Sequence, residues 1–147
     1  MSASVINNQI LVNDKFASAI ICTIDNCSSS IDVMMFDWKW YKQDFSCDVS
    51  LINQALIRAN KRGVKIRVLS NSVEIKQYFF PVGVQVRGFK VHGVFHPKLF
   101  IFDNTAFCIG SHNMTLGAMC RNYEVSFLCN DEKSARSFGD LFNSLWQ

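Results

Sequence analysis

The 147-residue sequence predicts an α/β fold, a mixed β-sheet flanked by helices on both faces. Three observations carry that prediction. IDVMMF at 31–36 and VKIRVL at 64–69 are apolar runs of strand length. A stretch of helical period separates them, so 31–69 reads as strand, helix, strand. Other helix-period stretches precede the first run and close the chain, which supplies cover for both sides of a sheet.

The elements follow in order. Behind Asp14, a candidate N-cap, Phe16, Ala17, Ile20, Ile21 and Ile24 recur at helical spacing. Asn26 to Ser30 read as a loop and Ile31 to Phe36 as a core strand. A second helix starts at Asp48 or Ser50, with the stripe Leu51, Ile52, Ala55, Leu56 and Ala59. It stops at Lys61-Arg62-Gly63, where cations meet the negative end of the helix dipole and glycine suits the left-handed C′ position. Val64 to Leu69 alternate as a strand. Val84 to Arg87 form a short strand and Val94 to Phe102 a longer one. Asp103-Asn104 make a hairpin turn, Thr105 to Ile109 return, and Tyr123 to Cys129 form another strand. Ala135, Phe138, Leu141, Phe142 and Leu145 line the last helix, capped by Asn130 or Asp131. No repeat, low-complexity tract or linker intervenes, so residues 1–147 are expected to form one domain.

Composition excludes several classes. With 49% hydrophobic and 18% charged residues, 7 Gly and 2 Pro, the chain is neither disordered nor collagen-like. Thirteen Phe imply an aromatic core and a sticky subunit interface. Residues 58–98 hold nine basic side chains and one acid, whereas the flanking thirds are net acidic. That segregation suits an anionic partner: nucleic acid, a phospholipid headgroup or a small phosphate ester. The six cysteines form no Cys-x-x-Cys pair, which reads as buried thiols in a reducing compartment. The early sequence has no basic run followed by an unbroken apolar segment, so a cytoplasmic protein without membrane insertion is expected.

Residues 96–113, HPKLFIFDNTAFCIGSHN, carry the chemistry. Two residues apart on a strand, His96 and Lys98 present an imidazole and an ammonium on one side. The return strand brings Gly110, Ser111 and Asn113 to the same sheet edge. There glycine permits close backbone approach, and hydroxyl and amide donors can surround an oxyanion. Such a phosphate site needs no metal and no cofactor. Six fixed positions of this kind coincide by chance in about one chain per million, on ordinary composition.

The string resembles the phospholipase D superfamily, whose signature is HxKxxxxD followed by GSxN. Here the matching residues are His96, Lys98, Asp103, Gly110, Ser111 and Asn113. The resemblance runs through nearly the whole chain and is greatest to the short, single-motif nucleases of that superfamily. It implies a phospholipase D-like half-barrel or sandwich domain and, because only one motif copy is present, a homodimer with its active site at the twofold interface. It further implies that His96 of one subunit attacks phosphorus while the second His96 protonates the leaving oxygen. An acid at about the distance of Glu124 beyond GSxN hydrogen-bonds the histidine in the family, and that role is carried to Glu124. Glu124 shares strand parity with Ser126 and Leu128, away from Val125 and Phe127.

Asp103 has the opposite parity to His96 and Lys98 and sits in the turn, so a structural role accepting backbone N–H bonds fits it better than chemistry. Ser111 reads equally as phosphate donor or as loop or helix cap. His92 and His112 read as bystanders, His112 at the variable position of GSxN. Pro97 suggests an edge or distorted strand. Trp38, Trp40 and Tyr41 suit base stacking or subunit packing. Arg58, Lys61, Arg62, Lys65 and Arg67 read as a phosphate-backbone track or as a plain solvated face. The leading function is a metal-independent endonuclease acting on DNA or RNA. The alternatives are a phospholipase D-type lipid phosphodiesterase and a non-catalytic nucleic-acid-binding dimer. DNA against RNA, strandedness and sequence preference stay open.

Overall fold

The computed structural model describes residues 7–147. Strand β1 (Gln9–Val12) leads into helix α1 (Lys15–Asp25) and strand β2 (Ser30–Met35). Helix α2 (Asp48–Lys61) crosses to β3 (Lys65–Ser70). A helical segment follows, with α3 (Lys76–Phe79) between two 3-10 turns, and then β4 (Gln85–Arg87). The hairpin β5 (Lys98–Phe102) and β6 (Ala106–Gly110) precedes α4 (Leu116–Cys120), β7 (Val125–Cys129) and α5 (Glu132–Leu145).

The seven strands form one mixed sheet in the order β1-β7-β6-β5-β2-β3-β4. β2, β3 and β4 run parallel, as the strand-helix-strand reading requires, and the remaining pairs are antiparallel. Period-2 alternation divides the apolar side chains between two cores. Ile31, Val33 and Met35 of β2 and Phe100 and Phe102 of β5 pack beneath α1 and α2. Met34, Leu99, Ile101 and Phe107 point the other way, against Ala135 and Phe142 of α5. Helices therefore flank both faces. The sheet order is linear, with β1 and β4 at its edges.

The helix ends fall at the expected residues, although neither Asp14 nor Asp131 makes a side-chain capping hydrogen bond. Asp14 and Asp131 occupy N-cap positions, and Gly63, at φ 98°, takes the left-handed turn that ends α2 beside Lys61 and Arg62. Leu51 and Leu141, expected in apolar stripes, are exposed at the stripe margins. Asp103 and Asn104 both have positive φ, 52° and 53°, closing the β5–β6 turn with a Thr105 N–H bond to the Phe102 carbonyl.

Three elements have no counterpart in the sequence reading: β1, the helical segment 73–82 and α4. Each is short and takes its shape from its neighbours. Conversely, residues 94–97 lie outside β5, so the expected strand is shorter at its start. β5 is central in the sheet, which overturns an edge position for Pro97. Pro97 stands just before the ladder, where its missing N–H removes no strand bond, and its carbonyl accepts the Phe36 N–H at 2.9 Å.

Candidate active site

Register places the motif. Lys98 opens β5 opposite Met35, the last residue of β2, while Gly110 closes β6 opposite Ser126 near the start of β7. His96, Lys98, Ser111, Asn113 and Glu124 thus gather at one end of the sheet. Asp103 terminates β5 at the opposite end.

At the first of these ends, the Lys98 ammonium lies 2.9 Å from His96 Nδ1, 3.1 Å from Nε2 and 2.9 Å from the His96 carbonyl oxygen. The Phe36 ring supports both groups, 4.5 Å from the imidazole centroid and 5.0 Å from the ammonium. Burial lowers the Lys98 pKa, and the Glu124 carboxylate opposes that shift. Strand parity is therefore not what joins His96 to Lys98. His96 sits ahead of the strand, and the flexible lysine reaches back to it.

Asn113 is positioned by a second zipper. Met114 donates its N–H to the Asp37 carbonyl and accepts from the Lys39 N–H, both at 2.9 Å. Alongside, Asn113 Oδ1 accepts the Asp37 N–H at 3.2 Å. A backbone donor can meet only the amide oxygen, so Nδ2 is left with two hydrogens to offer an anion. Ser111 Oγ takes the Val125 N–H at 3.0 Å and donates to the Val125 carbonyl at 3.3 Å. That bond pair ties β6 to β7. Gly110 serves the same contact, since a Cβ there would overlap Ser126 and the Val125 carbonyl. Its lack of a side chain is used against β7 rather than against a ligand.

Glu124 is buried, with the expected parity: Ser126 and Leu128 are buried beside it, while Val125 and Phe127 are exposed. Its carboxylate accepts from Asn122 Nδ2 at 3.0 Å and has no bond to His96 of its own chain. The expected histidine–carboxylate contact is thus absent within one subunit.

Asp103 has a different task. One carboxylate oxygen accepts the Ser29 and Ser30 N–H groups at 2.8 and 2.9 Å, and the other the Ser28 N–H at 3.0 Å. Burial pushes its pKa up, but the backbone donors of Ser30, Ser28 and Ser29 together outweigh this and hold it below the usual carboxylate value. The carboxylate staples the loop before β2 to the hairpin.

Other candidates are placed elsewhere. Trp38 is fully buried, its indole N–H bonded to Asn53 Oδ1, and cannot stack on a base. Trp40 stacks on Tyr78 at 4.6 Å, and the Tyr41 hydroxyl accepts the Leu116 N–H. The arginines are engaged: Arg58 with Asp25, Arg62 with Asp25 and two carbonyls, and Arg67 with Asp32 and Asn143. Lys65 faces Ser30 at the sheet end remote from His96. Cys27 and Cys108 thiols are pushed up to about 12, chiefly by burial, and are unsuited to nucleophilic chemistry. Sequence reasoning missed Phe36 and the Asp37–Asn113 bond. The end of the IDVMMF run was the available signal, because a strand end opposite Lys98 must border the same site.

Comparison with known proteins decides the family. Residues 20–146 match the model of the family described as cardiolipin synthase, PLD-like domain. The chain belongs to the phospholipase D superfamily. Phospholipase D of Rickettsia prowazekii is 36% identical over 108 residues, covering 67% of this chain and 51% of that protein. The chain therefore spans about half the length of this curated relative. The virion nicking-joining enzyme of vaccinia virus is 25% identical over 132 residues, 84% of this chain and 31% of the relative. Among solved structures, the phospholipase D family member Nuc from Salmonella typhimurium superposes with a TM-score of 0.80 at 23% identity, covering 95% of each chain. NucT from Helicobacter pylori gives 0.76 at 16% identity, again over 95% of each. Both place this phospholipase D-superfamily chain in their fold. Among the described residues no helix is long and apolar enough to cross a membrane.

Proposed function

We propose that this chain is a nucleic-acid phosphodiesterase, an endonuclease that works without a metal ion at a site shared by two subunits. The observation that carries this reading is the His96–Lys98 contact with the Asn113 amide at the same sheet end. Residues 1–147 act as one catalytic domain. A ring nitrogen of His96 attacks phosphorus, an N–P bond forms and the P–O bond to the leaving group breaks. The imidazolium of His96 of the partner subunit gives its proton to that oxygen. Now neutral, it takes a proton from water, whose oxygen attacks phosphorus as the N–P bond breaks. Lys98 and the Asn113 Nδ2 hydrogens from both subunits hold the nonbridging oxygens. Charge compensation in the proposed transition state falls to these groups. The Glu124 carboxylate orients the imidazole of the nucleophilic His96, fixing its tautomer.

An exposed apolar row gives dimerisation a physical basis. Ile10 pairs with Phe127, and Phe127 with Ile109, across three adjacent strands. All three are exposed, by 71%, 40% and 39%, on the face that α5 covers chiefly over β2, β5 and β6, with Cys129 of β7 at its margin. A second copy laid on this row forms the sandwich that the family resemblance implies. The name of the vaccinia relative supports strand cleavage as the chemistry. The Rickettsia relatives' name favours a second reading, a lipid phosphodiesterase with the same site.

Purified protein incubated in EDTA with labelled single- and double-stranded DNA and RNA, beside His96→Ala, is the test. Cleavage by the wild type alone is expected. A folded dimer that cuts none of these substrates but releases headgroups from phosphatidylcholine vesicles would reverse the two readings.

A further inference from the structure

His112 fills the variable position between Ser111 and Asn113, and the chemistry above makes no use of it. Its ring is buried and stacked on Phe16, with centroids 4.2 Å apart at 12°. Nε2 lies 2.9 Å from the Asn13 carbonyl oxygen and Nδ1 2.8 Å from Ser126 Oγ. A carbonyl only accepts, so Nε2 carries the hydrogen and Nδ1 accepts from the Ser126 hydroxyl.

Asn13 has φ 49°, in the left-handed region that asparagine tolerates better than most side chains. From that conformation it grips one residue twice. Its Oδ1 accepts the Glu124 N–H at 2.7 Å, and its own N–H donates to the Glu124 carbonyl at 3.0 Å. Both main-chain groups of Glu124 are therefore held by Asn13, and Asn13 is held by His112. The ring also bonds Ser126, two residues beyond Glu124 on the same strand face. A polar clamp of this form costs desolvation at every member, and it converges on the main chain of a single acid.

We propose that His112 is a positioning residue: it locks Asn13 in its left-handed conformation and so sets where the Glu124 carboxylate stands. The inference rests on the reading of Glu124 as the carboxylate that orients the nucleophilic histidine. His112 touches neither substrate nor the reacting atoms. A carboxylate that drifts by about an ångström loses its alignment with the imidazole it orients.

Two variants separate this from a packing role. His112→Phe keeps the aromatic stack on Phe16 and deletes both hydrogen bonds. Asn13→Gly keeps access to positive φ and deletes the Oδ1 acceptor. Each is assayed on bis(p-nitrophenyl) phosphate, and amide hydrogen exchange is followed by NMR. The expected result is a drop of about tenfold in kcat with KM within about twofold. The Glu124 amide should exchange at least about tenfold faster, while Phe100 and Ile101 amides keep their protection. His112→Gln, which retains a donor toward Asn13, should recover part of the rate. Combined with Glu124→Gln, His112→Phe should cost nothing further.

Unchanged Glu124 exchange in both variants overturns the proposal, whether or not any diester is hydrolysed. An active wild type whose kcat survives His112→Phe overturns it as well, as does a full multiplication of the His112→Phe and Glu124→Gln effects. A wild type that hydrolyses no diester sinks the phosphodiesterase reading instead, and the exchange rates still decide the clamp.

Discussion

The Lys98 ammonium lies over the His96 ring, 2.9 and 3.1 Å from its two nitrogens, and bonds the His96 carbonyl oxygen at 2.9 Å. In the proposed reaction a phosphate oxygen arriving between the two side chains takes over the lysine's contacts and frees the ring nitrogen for attack.

Replacing either partner should remove turnover without unfolding the chain. His96 is exposed and outside the strand ladder, so His96→Ala should lower kcat by at least about a thousandfold while stability changes by less than about 0.5 kcal/mol. Lys98→Met should cost roughly a hundredfold or more, the scale of a lost donor to a developing oxyanion. Steady-state kinetics on a small diester and thermal melts of the same preparations check both.

Asp103→Asn should behave in the opposite way. The asparagine can keep the positive φ of the turn but loses the charged acceptor for three N–H groups. Unfolding free energy should fall by about 2 kcal/mol, with activity per folded molecule retained. The acid limb gives a second reading. The Asp103 pKa is lower in the folded than in the unfolded chain, so its stabilisation is complete above the unfolded value of about 3.9 and is lost as pH falls through the folded one. Urea titrations from about pH 5 down to about pH 2.5 should show a steeper loss in the wild type than in Asp103→Asn.

Phe127→Glu places a charge in the middle of the exposed apolar row Ile10–Phe127–Ile109. The side chain is 40% exposed in the single chain, so the monomer should stay folded. Sedimentation should show the dimer replaced by monomer, and diester hydrolysis should fall to background. A Phe127→Glu protein that remains dimeric and active would remove this row from the proposed interface.

The Arg67–Asp32 pair is a structural charge, at 2.7 Å with side chains only 14% and 4% exposed. Asp32→Ala strands a guanidinium between Phe142 and Trp146 and should cost about 3 kcal/mol. The double replacement Asp32→Leu with Arg67→Met should recover most of that loss, as measured by urea unfolding.

The sheet and its two helical layers were legible because burial on both sides leaves its mark in every strand: IDVMMF carries alternate residues to two cores, and VKIRVL pairs with it in register. The reactive end was legible because its residue types are rare together. What the letters concealed was partnership. Arg58, Arg62 and Arg67 read as available cations, yet each has an acid or a carbonyl supplied by a distant segment. Trp38 read as a surface ring, yet Asn53 on α2 gives its indole N–H a buried acceptor. Glu124 kept its predicted face, and in the single chain its carboxylate takes a hydrogen bond from Asn122. Strand β1 stayed hidden, since four residues carry too little pattern and its pairing with β7 is made more than a hundred residues later.

The staple formed by Asp103 also bears on what the shared signature records. One stretch of recognisable letters runs the length of β5, with a reactive pair at its beginning and an anchoring carboxylate at its close. A descendant that abandoned hydrolysis would be free to change the first and still obliged to keep the last. Retention of that aspartate alone is therefore a memory of architecture, and only the histidine and lysine together speak for catalysis.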